Sequence, residues 1–475
     1  MSSVLNYNLE AIELYSVDNK KLVINDLMVE LSIYESILSP FMTASLILAD
    51  SGKNIIGTLP IQGNEKVVIK VSTQTAPDKK FTYNFVVFSV NNRFTSGKIQ
   101  MYELKLITQE GLANEALRIG KKLEGYGHEI VTDIMKNIIK TDKKVVADDN
   151  CKFKMKFIPA SKRPFDLIYS MAPKCISSKA NPSAEEGKGN PVTSSASSTP
   201  STASSTAGKM KGTAGYLFFE TYDGYIFRSI DKLCSDGTDG KFGGDPVKAT
   251  LEFAIATDDK STPESNALKI LEYTFDNELD IMKRMRMGTY SSLIVFFNPS
   301  TGYYEEYVYS LSNTYDSMVH MGSADKLPKG QKELAGYPTR IMTQFVDHET
   351  FYNDTGTASP ESKDKGTNPT QYPDWKKFFS AQSIGRMSLM TNQVLNITIP
   401  CNLTLRAGDK IEALLPNASQ EEDRKTQKYD EEHSGVYLIQ DICYQFRRLD
   451  GTRSYTSMKV VRDSYGMKDK PSKVK

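Results

Sequence analysis

Several residue types that often carry chemistry are scarce in this chain of 475 residues. It contains one tryptophan, four histidines and five cysteines. The cysteines lie far apart, are odd in number and form no C-x-x-C pair, so neither a disulfide framework nor a zinc site is indicated. We therefore expect a protein that is made in a reducing compartment and that binds no metal or other cofactor.

An excess of charge of one sign is also missing. Lys and Arg number 59 and Asp and Glu number 58, which gives a formal net charge of +1. A chain this balanced has no field strong enough to hold nucleic acid or an anionic membrane by counterion release. The sequence has no apolar run long enough to cross a bilayer, and its start, MSSVLNYNLEAIEL, lacks the features of a signal peptide. We expect synthesis in a cytoplasm and no membrane contact.

Catalytic motifs are absent as well. The sequence contains no G-x-x-x-x-G-K-[ST], no G-x-S-x-G and no strand-coupled G-x-G-x-x-G. His128-Glu129 resembles the start of a zinc-protease helix, but Thr132 stands where the second histidine belongs, so a charge pair at a helix N-terminus is the simpler interpretation. The Asp-His-Glu run at residues 347–349 has no nucleophile nearby and is interpreted as a solvated cluster. We expect no enzymatic activity.

The first 110 residues consist mostly of short segments in which apolar and polar side chains alternate. In LMVELSIY, for example, Leu27, Val29, Leu31 and Ile33 share one face. This two-residue period predicts strands, and TASLILAD, KVVIKV, FTYNFVVF and MYELKLIT continue it between turn-rich pieces. Because a small sheet must protect its edges, these strands predict a closed or nearly closed sheet.

The pattern then changes to helical periods. The segment 111–140 carries apolar rows at i, i+4 spacing and predicts two helices, the first built on Leu112, Ala116, Ile119 and Leu123. RPFDLIYSMA places a proline in the first turn of another helix. YLFFETYDGYIFRSIDKL, at residues 216–233, predicts a hairpin that turns at Asp223-Gly224 and completes the sheet that these helices cover.

A second β-rich block follows, and its layout resembles that of the first. In the first block a strand ends in Glu35-Ser36-Ile37, and a connector with Met42 leads to the next strand. In the second block a strand ends near residues 278–281, and a connector with Met287 leads to the next strand, SSLIVFF. We infer two versions of one barrel. The predicted fold class is therefore α+β, mainly β, with two antiparallel tube-type β-barrel domains flanking an α/β intermediate domain, and with long polar insertions.

The predicted domain boundaries follow from these shifts in composition. Residues 177–213 form an insert, which we predict to be disordered because 27 of its 37 residues are Ser, Thr, Ala, Gly or Pro. The parts are a first barrel at 1–110, the intermediate domain at 111–176 and 214–267, the insert at 177–213, a second barrel at 268–311 and 383–466, a polar excursion at 312–382 and a basic tail at 467–475.

Tyrosine is abundant, with 25 residues. In TGYYEEYVYSL, Tyr303, Tyr307 and Tyr309 fall on one face of a strand and Tyr304 falls on the other. Tyrosine on both faces is consistent with a protein interface, because its ring contributes contact area at a low entropy cost. Ordinary packing within the chain explains the same pattern, so these four residues are a candidate interface.

The order of these parts resembles the central baseplate hub subunit of T4-like contractile-tail bacteriophages. The resemblance is carried by ELSIYESILSPFM and LILAD in the first block, by the hairpin, by YTFDNELDIMKRMRMGTYSSLIVFFNPSTGYYEEYVY, and by the closing stretch that ends in VVRDSYG. It covers most of the chain outside 177–213 and 312–382.

The resemblance implies a homotrimer in the tail baseplate of a virion. Two similar barrels in each of three subunits would form a pseudo-sixfold ring that joins a sixfold tail tube, or its initiator proteins, to a trimeric central spike protein. Tape measure and baseplate wedge proteins are further implied partners, and DNA would pass through the lumen without specific binding. The implied role is structural.

Three alternatives remain at this point. The first is the hub of another contractile injection system, such as a type VI secretion spike. The second is a cell-wall hydrolase carried on a spike, for which we would expect a carboxylate pair or metal ligands in a compact helical domain. The third is a carbohydrate-binding tail-fibre protein, which would favour surface tryptophan for stacking on sugars.

Overall fold

The structure is a computed structural model of the chain. It describes residues 5–50, 61–73, 76–97, 99–152, 154–179, 213–235, 237, 242–253, 266–276, 280–299, 303–324, 326–345, 375–417, 429–448 and 451–467.

The first β region has seven strands, all paired antiparallel. Their bounds are β1 (Tyr7–Tyr15), β2 (Lys21–Val23), β3 (Met28–Ser36), β4 (Thr43–Asp50), β5 (Lys66–Thr73), β6 (Ala76–Ser96) and β7 (Ile99–Ile107). Their order in space is β3–β4–β7–β6–β5–β1–β2. Inward residues such as Leu31, Ile33 and Leu46 are fully buried, so the alternation in the sequence produces one apolar face, as predicted.

The chain that leaves β2 stays next to β1 before it enters β3. A short 3-10 turn, Asn25–Leu27, connects the two strands, and the N–H of Ile24 donates to the carbonyl of Ile12 on β1 at 3.0 Å. The pairing of β2 with β1 therefore extends to the turn that leads into β3.

The α/β part follows. Its elements are α1 (Gln109–Ala116), β8 (Leu123–Tyr126), α2 (Gly127–Asp133) with a π-helical continuation (Ile134–Ile139), β9 (Val145–Val146), β10 (Lys154–Phe157), α3 (Pro164–Met171) with a 3-10 turn (Ala172–Lys174), β11 (Tyr216–Thr221), β12 (Gly224–Ser229) and α4 (Ile230–Cys234). β8 pairs with β10, and the hairpin β11–β12 pairs with β9. Phe165 of α3 packs on Phe218 and Tyr225 of the hairpin, so the helices cover this sheet.

The structure corrects two sequence predictions in this part. Leu123, predicted on a helix, lies in β8, which pairs with β10. The hairpin turns at Tyr222-Asp223, because Thr221 pairs directly with Gly224. Gly224 has a φ of 126°, which allows the strand to begin directly after the turn.

The insert predicted at 177–213 lies mostly outside the described residues, which omit 180–212. Its two described ends do not fit the prediction of disorder. The Ser177 hydroxyl donates to Asp149 Oδ1 at 2.7 Å, and the Thr213 N–H donates to Asp231 Oδ2 at 2.5 Å. Both residues are buried and belong to the folded α/β part.

The second β region begins with three short strands, β13 (Ala249–Phe253), β14 (Lys269–Ile270) and β15 (Glu272–Phe275). An inserted part follows, with α5 (Ile281–Met287), β16 (Ser291–Asn298), β17 (Tyr303–Ser310), α6 (Leu311–Thr314), a 3-10 turn (Tyr315–Ser317), α7 (Lys329–Leu334), β18 (Arg340–Phe345) and α8 (Trp375–Met390). The region then resumes with β19 (Gln393–Pro400), β20 (Lys410–Leu414), β21 (Gly435–Arg447) and β22 (Arg453–Arg462).

The strands of the second region pair in a cycle. The pairing runs β13–β20–β21–β22–β19–β15, and β14, which leads into β15, pairs with β13. The two pairings made by β13 are parallel, whereas the sequence predicts a purely antiparallel barrel. The sequence also assigns β13 to the intermediate domain, but its hydrogen-bonded neighbours lie in the second β region.

The two β regions share one order of strands. In chain order, β1, β3, β4, β5, β6 and β7 correspond to β13, β15, β19, β20, β21 and β22, and in space both sets run in the same order. The sequence predicts a repeat but aligns SSLIVFF with β4. In the structure SSLIVFF is β16, which belongs to a separate sheet of β16, β17 and β18, and β19 is the counterpart of β4.

The described chain is mainly β, with helices separate from the large sheet, and so belongs to the α+β class that the sequence predicts. The polar excursion predicted at 312–382 contains α6, α7, β18 and the start of α8 among its described residues. No helix among the residues described combines the length and apolar character needed to cross a bilayer.

Candidate functional site

One continuous antiparallel sheet crosses both β regions. Its strand order is β6–β7–β4–β3–β21–β22–β19–β15, with four strands from each region. The seam between the regions is the pairing of β3 with β21, in which Glu30 lies opposite Arg447 and Ser36 lies opposite Asp441. The two repeats are therefore joined by backbone hydrogen bonding as well as by side-chain contact.

One face of this sheet carries a polar row on six of its eight strands, and the row continues with the apolar residues Ile107 on β7 and Val86 on β6. Cross-strand neighbours form a row across six strands, made of Thr43, Tyr34, Cys443, Ser457, Thr398 and Glu272. Residues on the opposite face, such as Ile33, Tyr444 and Met458, are buried in the core. Because side chains alternate between faces, the polar face is separate from the cores of both regions.

The polar face is concave over the seam. A groove of about 620 Å³ lies on it and is lined by residues of β3, β4, β15, β19, β21 and β22. A groove that follows one side of six strands indicates that the sheet curves around this side.

Charges on the polar face have both signs and lie close to partners. Lys105 Nζ is 2.5 Å from Glu103 Oε1, and Arg447 Nε is 3.5 Å from Glu30 Oε2. These partly exposed pairs contribute little to stability. Their consequence is electrostatic, because a face with paired charges presents no strong field to a molecule that moves along it.

The two ends of the eight-stranded sheet have open edges. Within the described residues, no strand pairs with the outer edge of β15, or with the outer edge of β6 beyond Val87. All seven pairings between neighbouring strands are antiparallel, so β6 and β15 run in opposite directions. An edge of β15 can therefore meet an edge of β6 from another copy and preserve the antiparallel pattern.

The hairpin of the α/β part inserts its turn behind the seam. The Tyr222 N–H donates to Glu35 Oε1 at 3.0 Å, and the Ala407 N–H donates to Glu35 Oε2 at 3.2 Å. Glu35 stands near the end of β3 and Ala407 precedes β20, so one carboxyl group connects the hairpin and both β regions. Glu220 of the same hairpin accepts from the N–H of Met42 at 2.9 Å.

Arg406 fills the space next to Glu35. Its guanidinium lies 4.7 Å from the ring centre of Tyr222 and 5.5 Å from that of Phe81. Its Nη1 donates to the hydroxyl of Tyr444 at 3.2 Å. Stacking on two rings and a hydrogen bond hold this charge in a mostly buried position.

Burial governs the protonation of Glu35. Loss of contact with water raises the pKa of its carboxyl group to about 7, and the opposing attraction of Arg406 and the hydrogen bonds from Ala407 and Tyr222 only partly offset this effect. A carboxyl group with this pKa changes charge near neutral pH, which makes the seam sensitive to pH.

A second buried ionic cluster anchors the inserted part. Arg386 of α8 donates through Nη1 to Asp463 Oδ2 at 2.7 Å and through Nη2 to the Val319 carbonyl at 2.7 Å. Its Nη2 also lies 3.4 Å from Asp231 Oδ1, and His320 Nδ1 lies 2.9 Å from Asp463 Oδ2. Burial opposes ionisation, but His320 and Arg386 outweigh it and hold the pKa of Asp463 well below its usual range. The cluster ties α8 to the end of β22 and to α4.

The four tyrosines singled out by the sequence lie on β17. Tyr307 and Tyr309 are buried with Ala381 of α8, so they pack within the chain, which corrects the prediction for these two residues. The side chain of Tyr303 lies outside what the structure describes. Tyr304 is 59% exposed and remains a candidate interface residue.

Of the residues that the sequence raised as possible catalytic groups, the structure describes His128 and Glu129, and each accepts a backbone hydrogen bond. His128 Nδ1 accepts the N–H of Cys151 at 3.0 Å, and Glu129 Oε2 accepts the N–H of Tyr126 at 3.1 Å, at the start of α2. The 347–349 run lies outside the described residues. Within the described ranges, no group of three or more His, Cys, Asp or Glu side chains is placed to hold a metal ion.

Sequence analysis did not identify Glu35 and Arg406. A signal existed for Glu35, because it follows Leu31 and Ile33 at two-residue spacing and therefore points inward on β3. No local signal marks Arg406, whose aromatic partners are distant in sequence.

No family model matches this chain, and no curated protein matches it. Solved structures do match. A tail protein from Neisseria meningitidis is 11% identical, with 96% of this chain and 97% of that chain covered at a TM-score of 0.48. The 43 kDa tail protein of prophage MuSo2 from Shewanella oneidensis is 9% identical, with 95% and 98% covered, also at 0.48.

An Escherichia coli component of the type VI secretion system is 8% identical, with 99% of this chain and 80% of that chain covered at a TM-score of 0.40. Its published description reports structural similarity to the T4 bacteriophage tail proteins gp27 and gp5. The chain is thus similar over nearly its whole length to tail proteins and to a type VI component, with TM-scores below 0.5. The function proposed next rests on strand pairing and side chains.

Proposed function

We propose that this protein is a structural hub subunit of a contractile-tail baseplate, which forms a homotrimeric ring around a channel. The carrying observation is the continuous eight-stranded sheet, with four corresponding strands from each β region, whose six strands around the seam present a polar, concave face. Three copies would supply six equivalent four-stranded units around a threefold axis. The two β regions would then be tube-type barrels whose outer polar strands line the lumen.

The open edges give the proposed ring a specific contact. The edge of β15 in one copy would pair with the edge of β6 in the next, which would continue the antiparallel sheet around the axis. Such a ring has threefold symmetry in sequence and nearly sixfold symmetry in backbone, so it can join a sixfold tail tube or its initiator proteins to a trimeric central spike. Tape measure and wedge proteins would be further neighbours in the virion.

The balance of charge on the polar face supports passage rather than binding. DNA is held by clusters of Lys and Arg that replace its counterions. On this face Lys105 and Arg447 are paired with carboxylates, so DNA would slide through the lumen without specific contacts. We propose no catalytic role. The same geometry would serve the hub of another contractile injection system.

The proposal can be tested by measuring the oligomeric state after a substitution that blocks the open edge of β15. The N–H of Asp276 donates to the Val394 carbonyl at 3.0 Å, and alternate residues point their N–H groups to opposite sides, so the N–H of Phe275 points to the open edge. Light scattering at micromolar concentration should give the mass of three chains for the wild-type protein. Phe275→Pro removes this donor and should give monomers.

Phe275→Ala is the matched control, because it removes the ring but keeps the backbone donor. We expect this variant to remain trimeric. A wild-type mass of one chain, or a Phe275→Pro variant that stays trimeric, would contradict the proposed edge contact.

A further inference from the structure

Two cysteines that are well separated in sequence meet in the α/β part. Cys151 lies just before β10, and Cys175 follows the 3-10 turn at the end of α3. Their chain segments are paired, because Cys151 forms an antiparallel bridge with Ser177 and the Lys152 N–H donates to the Ile176 carbonyl at 2.8 Å. Cys175 stands two residues before Ser177 in extended backbone, so its side chain lies on the same face as that of Cys151.

Gly127, the first residue of α2, shows how close the two thiols are. A Cβ added at this glycine would lie 2.6 Å from Cys175 Sγ and 3.0 Å from Cys151 Sγ. Both sulfur atoms therefore adjoin one point, which they can approach because glycine has no side chain there. We expect rotation about the Cα–Cβ bonds to bring them to the length of an S–S bond, about 2.05 Å.

The two thiols differ in acidity. Burial opposes ionisation of Cys151, but hydrogen bonds with Cys175 and His128 outweigh it and lower the pKa of the Cys151 thiol to about 6. Burial and the neighbouring Cys151 raise the pKa of the Cys175 thiol well above its usual value. Since the thiolate is the reactive form, Cys151 is the nucleophile of the pair at neutral pH. Burial raises the pKa of Cys234 and of Cys401 to about 12, so these two are unreactive thiols.

Burial of the pair limits what can react with it. Cys151 is 4% exposed and Cys175 is 1% exposed, which excludes another protein or a bulky disulfide as the oxidant. His128, whose Nδ1 accepts the Cys151 N–H at 3.0 Å, is itself partly exposed. The pair therefore lies close to the surface, within reach of a molecule as small as hydrogen peroxide.

We propose that Cys151 and Cys175 are a redox-active pair that forms a disulfide bond when a small peroxide oxidises it. The Cys151 thiolate would attack one peroxide oxygen, the O–O bond would break, and the departing hydroxide would take up a proton to give water. Cys175 would then lose its proton and attack the sulfur of the resulting sulfenic acid, and the second oxygen would leave as water. The two thiols lose two electrons in total, and the peroxide gains them.

The disulfide would fasten two segments that already pair. It would join the end of α3 to the chain that enters β10 and would close the loop between Cys151 and Cys175. A closed loop has less freedom in the unfolded chain, so oxidation should raise the melting temperature of the protein. The pair uses no residue of the proposed ring contact, so its test does not depend on the oligomeric state.

The test treats the reduced full chain with hydrogen peroxide, blocks the remaining thiols by alkylation and maps the tryptic peptides by mass spectrometry. We expect residues 145–152 linked to residues 175–179, with the loss of two hydrogen atoms. Dithiothreitol should restore both peptides and the melting temperature of the reduced protein.

Two variants and a control separate the roles of the thiols. Cys175→Ser should stop the reaction at the first step, with oxygen added to residues 145–152, which contain no methionine. Cys151→Ser should lose the link and leave residues 175–179 unoxidised. Cys234→Ser changes another buried cysteine and should form the link as the wild type does.

Three outcomes would overturn the proposal. The first is a wild-type map without the link at millimolar peroxide, a result that requires no variant to fold. The second is a link from Cys151 to one of the other three cysteines. The third is faster oxidation of Cys175 in the Cys151→Ser variant than of Cys151 in the Cys175→Ser variant, because this would reverse the roles of the two thiols.

Discussion

The first and second β regions have the same order of strands but differ in one strand direction and in the connections between strands. β1 runs antiparallel to β5, whereas its counterpart β13 runs parallel to β20. β3 reaches β4 through residues 37–42, whereas β15 reaches β19 through the whole inserted part.

The difference shows which features the shared polar face requires. β1 and β13 do not belong to the eight-stranded sheet, which uses four of the six corresponding strands of each region. The direction of a strand outside this sheet and the length of a connection can therefore vary, because neither changes the pairing or the alternation of the strands within it. Substitutions on either side of the junction between the regions test this requirement.

The largest effect is expected from Glu35, on the side of the first region. Glu35→Ala leaves the N–H groups of Tyr222 and Ala407 buried without their acceptors and creates a small cavity. We expect a loss of about 3–5 kcal/mol in the free energy of unfolding. Urea denaturation followed by circular dichroism measures this loss.

Glu35→Gln is the control, because its amide oxygen still accepts one of the two N–H groups. Its loss should be clearly smaller than that of Glu35→Ala. Equal stability of wild type and Glu35→Ala would mean that this carboxyl group does not hold the regions together.

The pH dependence of stability gives a second test of Glu35. The pKa of its carboxyl group in the folded protein is about 7, above the value of about 4.3 for an exposed glutamate. The folded state therefore holds this proton more tightly, so the contribution is complete below about pH 4 and is lost as the pH rises toward and through 7. The loss amounts to at most about 4 kcal/mol.

The measurement is the difference in stability between wild type and Glu35→Gln at several pH values. Glu35→Gln cannot lose a proton here, so wild type should lose stability relative to it between pH 5 and 8, about the range that the raised pKa sets. A difference that is constant with pH, or that grows in favour of wild type, would contradict the raised pKa.

A smaller effect is expected at Gly408, on the side of the second region. Its φ is 86°, and a Cβ there would lie 2.8 Å from Phe219 Cζ of the hairpin. Gly408→Ala should cost about 2–3 kcal/mol, from the unfavourable backbone and the clash together. Gly451 has the same φ of 86°, but a Cβ added there would have no atom within 4 Å. Gly451→Ala therefore measures the cost of the backbone conformation alone.

We expect Gly451→Ala to cost about 1 kcal/mol. Thermal unfolding of both variants compares the two costs directly. If the two substitutions cost the same, the hairpin does not pack tightly against the loop before β20.

The sequence was sufficient for the local parts of this fold. Alternation located β3, β4, β21 and β22, the proline at the start of α3 marked a helix, and the change in period separated the α/β part. These features depend on neighbours within a few residues.

The long-range features could not be obtained in the same way. β16 and β17 alternate as the strands of the repeat do, and only pairing with β18 shows that they form a separate sheet. Helix α8 has a charged residue, Arg386, on its buried side, so its sequence does not show a continuous apolar stripe. Arg386 can be buried because its partners, which are distant in sequence, neutralise its charge. The polar face could not be predicted from the sequence either. Alternation shows that a strand has two different faces, but it does not show which strands are neighbours.

The central claim is that the two β regions form one polar face that closes around a threefold axis. End-on averages of the purified assembly by electron microscopy test this claim most directly. We expect a ring of three copies with a central hole bordered by six similar densities, two from each copy. A ring with only three densities at the hole, or particles without a hole, would contradict it.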